Sequence, residues 1–372
     1  QDRSRFLQKR LGPEGCDDEE VDKILEMALP EMVKLARNVF GNFVVQKLLE
    51  RGSEEQRRLV GEQLQDEVVL LSLHQYGTRV VQKALETLPE DALTPFVSQI
   101  AAAGKKILEL IESNNGSHVI QSCVKNLPLD SLGFVMDAVC NNAEKLAGHM
   151  FGCRVIQRIV ERKPPERLDD VLGKILDNIT RLSCDMNGNY VMQCILNHGR
   201  PEDKKRIIET IRGDVLAFAK DKVGSNVVEK CFEVATIGPH AEFLKEERRA
   251  LFQAMLGQAD DKKSPLKVLM HDVFGNYTVQ CVIRHSRGED RDALRERIES
   301  ARHELIGSVT GRHILAALSK ANQEDGVEDG KAPSKAVRDG KGEPASAECK
   351  AAAAEEGKGE SSDEATAGEA TA

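Results

Sequence analysis

The chain has 372 residues, of which 40% are hydrophobic and 30% charged, and its formal net charge is −9. No apolar run approaches the length of a membrane span and no signal peptide is visible, which argues against a membrane protein. The nine cysteines form no CxxC pair, so we expect reduced thiols in a cytoplasmic protein. The sequence contains no phosphate-binding glycine loop, metal-spaced His/Cys cluster or nucleophile motif, and we therefore expect neither an enzyme nor a bound metal or cofactor.

A short motif recurs along the chain at intervals of 36 to 39 residues, apart from one interval of 51. A copy without its glycine, Ser4-Arg5-Phe6-Leu7-Gln8, opens the chain, and the first complete copy is Gly41-Asn42-Phe43-Val44-Val45-Gln46-Lys47. The later copies begin at Gly77, Gly116, Gly152, Gly188, Gly224 and Gly275, and a degenerate ninth copy, interpreted as a cap, begins at Gly311. A fixed period of this size predicts a solenoid, because one unit is too small to bury its apolar face alone.

Each unit is predicted to contain three helices. An apolar-periodic segment precedes the motif, as over Val21–Leu35, and another follows it, as over Glu54–Leu64. Three residues before each glycine stand Asn38, His74, Ser113, His149, Asp185, Asp221, Asp272 and Ser308, most of which suit a helix N-cap. The glycine should therefore lie near the third helical position. Glycine costs about 1 kcal/mol inside a helix, so we expect a close approach to its backbone, by the neighbouring repeat in preference to a ligand.

Two segments depart from the regular repeat. The interval of 51 residues should contain a longer helix and a loop over Gly238–Pro265. From Ala321 onward Ala, Glu, Gly, Lys and Ser dominate without apolar periodicity, and we interpret residues 321–372 as a disordered acidic tail. This tail holds 13 of the 61 acidic and 6 of the 52 basic residues, so it carries −7 and the remaining chain −2. Residues 1–320 are read as one domain whose first repeat is truncated at its N-terminus.

The variable residues of the motif occupy the first, second and fifth positions after the glycine. On a helix, residues i, i+1 and i+4 form one compact patch, while the apolar residues between them point into the core. Stacked units would lay eight such patches side by side.

Flat side chains dominate the second position, which holds Arg5, Phe43, Arg79, His118, Arg154, Tyr190, Asn226 and Tyr277. Aromatic residues make up only 4% of the chain, so their recurrence at one position is selective. Flat groups at a fixed pitch suit stacking on unpaired bases, worth ~1–3 kcal/mol per base. Aromatic residues that merely filled gaps in the core would not alternate with arginine.

The first and fifth positions form hydrogen-bonding pairs: Ser4/Gln8, Asn42/Gln46, Thr78/Gln82, Ser117/Gln121, Cys153/Gln157, Asn189/Gln193, Ser225/Glu229 and Asn276/Gln280. Two amides can match the acceptor, donor and acceptor on the pairing edge of uracil. An ionised glutamate only accepts, which fits the two adjacent donors of guanine. A single glutamine opposite a small residue leaves room for adenine. If these were solvated helix positions, lysine and glutamate should alternate freely with glutamine.

Basic residues follow the motif and could supply a local positive stripe for nucleic acid: Lys47, Lys83, Lys125, Arg158 and Lys230. The opposing interpretation is that they are ordinary solvated side chains on a helix.

At this point the chain resembles the Pumilio (PUF) family of RNA-binding domains, whose repeats each read one base. The resemblance covers residues 1 to about 320. The segments 153–158, 197–204 and 225–231 closely resemble the fifth, sixth and seventh repeats of animal Pumilio proteins. The resemblance implies an all-α fold, a right-handed α-solenoid crescent of eight three-helix repeats with a C-terminal cap, and single-stranded RNA on the concave face.

The family's code, read from the last repeat backwards, implies the element 5′-UGUANAUA-3′. Uracil is assigned to Asn276/Gln280, Asn189/Gln193 and Asn42/Gln46, guanine to Ser225/Glu229, and adenine to Cys153/Gln157, Thr78/Gln82 and Ser4/Gln8. Ser117/Gln121 prefers adenine weakly or accepts any base. The family further implies a monomer that binds mRNA 3′ untranslated regions and recruits repressor or deadenylase proteins to its convex face, with no membrane partner.

Two other functions remain open from the sequence. A HEAT- or armadillo-like protein-binding scaffold would show no salt-dependent RNA affinity. A nucleolar PUF-like factor that binds structured RNA during ribosome assembly would keep the fold without the code, although the intact Asn/Gln, Cys/Gln and Ser/Glu pairs argue against it.

Overall fold

A computed structural model describes residues 2–12, 18–163, 168–258, 261 and 263–328. Its described residues form helices and connecting turns, grouped in two compact units, Gln1–Ile207 and Ile208–Ala372. The first unit contains helices α1 (Asp2–Arg10), α2 (Asp18–Ala28), α3 (Met32–Arg37), α4 (Gly41–Arg51), α5 (Glu54–Gln65), α6 (Val68–Leu73), α7 (Gly77–Thr87), α8 (Glu90–Ala101), α9 (Lys106–Glu112), α10 (Gly116–Asn126), α11 (Gly133–Asn141), α12 (Ala143–Ala147), α13 (Gly152–Arg162), α14 (Leu168–Leu176), α15 (Ile179–Ser183) and α16 (Gly188–His198).

Helix α17 (Pro201–Gly213) contains the boundary between the units. The second unit continues with α18 (Val215–Lys220), α19 (Gly224–Ile237), α20 (Lys245–Leu256), α21 (Pro265–His271), α22 (Gly275–His285), α23 (Gly288–Ser300), α24 (Arg302–Ile306) and α25 (Val309–Glu328). In the described part of the chain, no helix combines the length and the apolar character needed to cross a membrane.

The three-helix repeat is confirmed. A short helix, a helix that begins at the motif glycine and an outer helix follow one another, as in α6, α7 and α8. We call the helices that carry the motif residues motif helices: α1, α4, α7, α10, α13 and α16 in the first unit, and α19 and α22 in the second. Within each unit successive motif helices pack side by side, and their valines, isoleucines and leucines form the core.

The apolar segment Val21–Leu35 is not one helix. The structure divides it into α2, a 3-10 turn at Leu29–Glu31 and α3. Pro30 lies in that turn, and proline lacks the N–H that a continuing helix would need. By contrast, the predicted segment Glu54–Leu64 corresponds to α5 with one residue to spare.

Capping before the motif is confirmed, but the regular helix begins at the glycine and not two residues earlier. Asn38 Oδ1 accepts hydrogen bonds from the backbone N–H groups of Phe40 and Gly41, both at 2.9 Å. The corresponding side chains of the other complete motifs cap in the same way, and so does Ser308 at the ninth copy. The intervening turn is closed by the cap and by the bond from Asn42 N–H to the Asn38 oxygen.

The motif glycine is required by its own repeat, so the prediction that a neighbouring repeat approaches it is wrong. A Cβ atom at Gly77 would lie 2.7 Å from the backbone oxygen of Leu71, six residues earlier in the short helix α6. Gly41 and Gly116 meet Leu35 and Leu110 in the same way. The glycine therefore lets the motif helix fold back against the short helix that precedes it.

The C-terminal boundary also differs from the prediction. Helix α25 continues to Glu328, eight residues beyond the expected domain end. Ile314, Leu318 and Ala321 follow one another at helical spacing and are all buried, so Ala321 belongs to the folded part and not to the tail. The remainder of the predicted tail, residues 329–372, lies outside the described residues.

The 51-residue interval is occupied by a helix and irregular connections. Helix α19 has 14 residues where most other motif helices have 11. Residues 238–244 connect it to α20, and a second connection follows Leu256. Arg297 of α23 binds this second connection through the backbone oxygens of Leu256, Gly257 and Gln258.

Candidate nucleic-acid interface

The three variable positions of each motif helix differ in depth. The first position of the complete motifs is buried, with 0–3% of each side chain exposed: Asn42, Thr78, Ser117, Cys153, Asn189, Ser225 and Asn276. The second position is exposed or half-buried, and the fifth position is half-buried. In the truncated first repeat Ser4 and Gln8 are half-buried and Arg5 is exposed. The patch is therefore a shallow recess, with the first residue at its floor and the second at its rim.

Burial of the first position follows from contact with the next repeat. Thr78 Oγ1 donates a hydrogen bond to the backbone oxygen of Asn115 (2.9 Å) at the N-terminus of α10. Ser4 Oγ donates to the Phe40 oxygen (2.6 Å) in the same manner. The residues between the variable positions, such as Val80 and Val81, are fully buried, as predicted.

The Asn/Gln pairs are already hydrogen-bonded to each other. Gln46 Nε2 donates to Asn42 Oδ1 (2.9 Å), while Asn42 Nδ2 donates to the backbone oxygens of Asn38 (2.9 Å) and Val39 (3.1 Å). Carbonyl oxygens only accept, so these two contacts fix which way the asparagine amide points. The pairs Asn189/Gln193 and Asn276/Gln280 repeat the arrangement.

This geometry narrows what an Asn/Gln pair offers. The sequence suggests that both amides present donors and acceptors, but both asparagine hydrogens are used by backbone oxygens. Glutamine keeps its Oε1 acceptor and one N–H. The asparagine thus positions the glutamine, and the glutamine carries most of the hydrogen-bonding capacity of the recess.

Pairs with a small first residue hold their glutamine differently. Gln82 Nε2 donates to the backbone oxygen of Thr78 (3.0 Å) and to its Oγ1 (3.2 Å). Gln157 Nε2 donates to the Cys153 oxygen (3.1 Å), and Gln8 Nε2 donates to Ser4 Oγ (2.8 Å). Gln121 Nε2 is buried without a hydrogen-bond partner, because Ser117 Oγ turns instead towards the Asn114 oxygen (3.4 Å). Chemically distinct recesses therefore recur on one scaffold.

The Ser225/Glu229 pair replaces the amide by a carboxylate. Ser225 Oγ donates to the backbone oxygen of Lys222 (3.3 Å), and the Glu229 side chain is half-buried at the fifth position. A carboxylate there can only accept hydrogen bonds when it is ionised.

Positive charge lies along the second positions of the first unit. Arg79, His118 and Arg154 occupy three successive motif helices. Burial, together with the charges of Arg79 and Arg154, lowers the pKa of His118. The imidazole is therefore neutral near pH 7 and lies between two guanidinium groups.

The predicted basic stripe is largely neutralised by glutamates three residues further along each helix. Lys47 pairs with Glu50 (2.6 Å), Arg158 with Glu161 (2.5 Å) and Lys230 with Glu233 (2.8 Å). Lys83 lies 3.2 Å from both Glu50 and Glu86. Burial alone would raise the pKa of Glu50, but its hydrogen bonds with Lys47 and Lys83 hold that pKa below its ordinary value. Of the five predicted side chains, these four form intramolecular ion pairs and do not constitute an uncompensated stripe.

The ninth motif, read from the sequence as a cap alone, presents polar side chains. Arg312 and His313 stand at its first and second positions, and both are exposed. Their spacing from Gly311 is the signal by which sequence reasoning could have included them. Among the described residues, no group of three or more His, Cys, Asp or Glu side chains could hold a metal ion.

Comparison with known proteins places this arrangement in a family. The family model described as Pumilio-family RNA binding repeat matches residues 31–64, 67–101, 106–140, 142–176, 178–212, 214–253 and 268–298. The Pumilio domain-containing protein C6G9.14 of Schizosaccharomyces pombe is 28% identical over 317 residues, which are 85% of this chain and 44% of that protein. Pumilio homolog 12 of Arabidopsis thaliana is 29% identical over 316 residues, which are 85% of this chain and 50% of that protein. The chain thus spans about half the length of these relatives or less.

Solved structures match over most of the described chain. The crystal structure of PUF-8 in complex with PBE-RNA is 28% identical, with a TM-score of 0.78, and the match covers 85% of this chain and 89% of PUF-8. The Puf3 RNA binding domain bound to a Cox17 RNA 3′ UTR recognition sequence is 29% identical, with a TM-score of 0.75, 86% of this chain and 92% of that domain. Seven matched repeats, the recesses that they carry and these related structures together show that the chain belongs to the Pumilio (PUF) family of RNA-binding repeat proteins.

Proposed function

We propose that this chain binds single-stranded RNA sequence-specifically, with one base in each recess. The observation that carries the proposal is the recurrence of one geometry, a buried first residue, a half-buried fifth residue and a flat second residue, on successive motif helices. Flat side chains at the rim suit base stacking, and hydrogen-bonding groups deeper in the recess suit base edges. The related PUF-8, Puf3 and Puf4 structures, which were solved with RNA, support the same chemistry here.

The proposed target is an element of the type 5′-UGUANAUA-3′. Three Asn/Gln pairs with the same hydrogen-bond arrangement correspond to its three proposed uracil recesses at Asn42, Asn189 and Asn276. The acceptor-only Glu229 corresponds to guanine, and the pairs with a small first residue correspond to adenine. Elements of this kind in mRNA 3′ untranslated regions would lead to repression or decay through recruited repressor or deadenylase proteins. We place this activity in the cytoplasm, with the protein acting as a monomer.

Glu229 provides the sharpest test. In a selection from random RNA, the wild-type chain should enrich guanine at the second base, and Glu229→Gln should remove that preference by ~1–3 kcal/mol, the scale of a good base-edge contact. Glu233→Gln is the matched control, because Glu233 lies one turn further along α19 and pairs with Lys230. The control should keep the guanine preference.

The outcomes separate the competing functions. Unchanged selectivity in Glu229→Gln would contradict the base assignment. Enrichment of structured RNA without a linear element would favour a ribosome-assembly role. A complete lack of salt-dependent RNA affinity would favour a protein-binding scaffold.

A further inference from the structure

The helix that follows the last complete repeat has the geometry of a motif helix. Ser308 Oγ accepts a hydrogen bond from Gly311 N–H (3.0 Å), just as Asp272 Oδ1 does from Gly275 N–H (2.8 Å). A Cβ atom at Gly311 would collide with the backbone of Leu305, six residues earlier, as at the other motif glycines. Helix α25 packs against α22 as α22 packs against α19. The second unit therefore carries three motif helices in one row.

The side chains on this third helix differ from those of the complete motifs. Arg312 takes the position of Asn276, His313 that of Tyr277, and Ala316 that of Gln280. All three are exposed, whereas Asn276 is buried. The row of recesses in this unit thus ends with a cation beside a flat ring.

Arg312 has donors to spare. Its Nη1 donates to the backbone oxygen of Ile306 at 3.3 Å, and a guanidinium carries five donors. Among the side chains that the structure describes, no carboxylate lies within ion-pair distance of Arg312. This contrasts with Lys47, Lys83, Arg158 and Lys230, whose charges are balanced by glutamates.

We propose that α25 forms a ninth nucleotide subsite, which takes one nucleotide on the 5′ side of the eight-base element. Arg312 binds the phosphate that joins this nucleotide to the element, and His313 stacks on its base. Ala316 has no hydrogen-bonding group in its side chain, so the subsite adds affinity without selecting a base. The proposal rests on the proposed function and on the placement of the RNA 5′ end at the last repeat.

The test compares RNA lengths on the purified chain by fluorescence anisotropy. The probes are the octamer 5′-UGUAAAUA-3′ and four nonamers that carry A, C, G or U before it. The wild-type chain should bind the nonamers roughly five to ten times more tightly than the octamer, near the lower end of the range for stacking one base. The four nonamers should agree within about twofold, because no edge reader is present.

Variants assign the gain to the two side chains. The double substitution Arg312→Ala with His313→Ala should abolish the gain from the ninth nucleotide and leave the octamer affinity unchanged. Loss of one phosphate contact should also reduce the salt dependence of nonamer binding, by about 0.7 in the slope of log affinity against log salt. His313→Phe alone should keep the gain, since a phenyl ring also stacks. Lys320→Ala, which removes an exposed charge from the same helix, should keep it as well.

Three results would overturn the subsite. They are an equal affinity of wild type for octamer and nonamers, an equal loss of octamer and nonamer affinity in the double variant, and a strong preference for one base at the ninth position. If the octamer itself is not bound, the proposed function fails. If the octamer is bound and the extension adds nothing, only the ninth subsite fails.

Discussion

At the scale of single residues, the recess is organised before any base enters it. Asn189 Nδ2 donates to the backbone oxygens of Asp185 (2.9 Å) and Met186 (3.0 Å), and its Oδ1 accepts from Gln193 Nε2 (3.0 Å). Holding a glutamine in one rotamer in advance reduces the conformational entropy that binding would otherwise cost. The asparagine therefore contributes by positioning its glutamine, whose Oε1 and second N–H remain for the base.

Changing the positioning residue should change the base. Asn189→Ser removes the Oδ1 that orients Gln193 and produces the Ser/Gln pair found at Ser4 and Gln8. We expect the preference at the third base of the element to move from uracil to adenine, by ~1–3 kcal/mol. Binding measurements with the two octamers that differ at that base provide the check.

Asn197→Ser is the control for this substitution, because Asn197 is an exposed residue near the end of the same helix. It should leave the third base as uracil. A retained uracil preference in Asn189→Ser itself would show that the Asn–Gln hydrogen bond does not set the base.

At the scale of helices, the motif glycine links the short helix of a repeat to its motif helix. Leu71 of α6 lies so close to Gly77 of α7 that no side chain fits between them. This contact fixes how α7, and hence Thr78, Arg79 and Gln82, is directed relative to the rest of the repeat. The glycine thus acts on the recess without lying in it.

Gly77→Ala should therefore destabilise the protein although alanine is the better helix former. A Cβ atom 2.7 Å from the Leu71 oxygen forces a backbone shift, and strain of this kind costs about 1–3 kcal/mol. The midpoint of urea unfolding should fall accordingly. Gly173→Ala is the matched control, since Gly173 lies inside α14 with no atom within 4 Å of its would-be Cβ. There alanine should stabilise by up to about 1 kcal/mol, and a stabilising effect at Gly77 would contradict the steric explanation.

The sequence was sufficient for the features that recur and insufficient for those that depend on packing. Eight copies of one pattern predicted the motif helices, their caps and the outward second position, because each rests on local spacing. The partner of Gly77 could not be read, since Leu71 contacts it only after the chain folds back. The burial of Thr78 depends likewise on Asn115 of the next repeat. The end of the domain was misplaced because the Ala-rich composition at Ala321 concealed its helical spacing from Ile314 and Leu318.

At the scale of the whole molecule, charge balance limits how strongly RNA can be held without regard to sequence. The chain carries −9 overall, and residues 1–320 carry −2. Several lysines and arginines beside the recesses are paired with glutamates, so few are available to phosphates. Affinity should then depend mainly on stacking and base edges, and its salt dependence should be shallow for a protein that contacts eight nucleotides.

Glu50 is the residue through which this balance can be tested. Its carboxylate lies 2.6 Å from the Lys47 ammonium and 3.2 Å from that of Lys83, so Glu50→Gln removes a partner from two cations at once. Lys83 retains Glu86, and Lys47 becomes available to a phosphate. Exposed ion pairs contribute only about 0–1 kcal/mol to folding, so the variant should remain folded. We expect tighter binding of both specific and unrelated RNA, with a salt slope steeper by about 0.7 for the added phosphate contact. Glu55→Gln makes the same charge change on the outer helix α5, where Glu55 pairs with Arg58, and should leave the slope unchanged. If the two variants show the same slope, the effect comes from net charge and the pairing of Lys47 with Glu50 does not limit RNA binding.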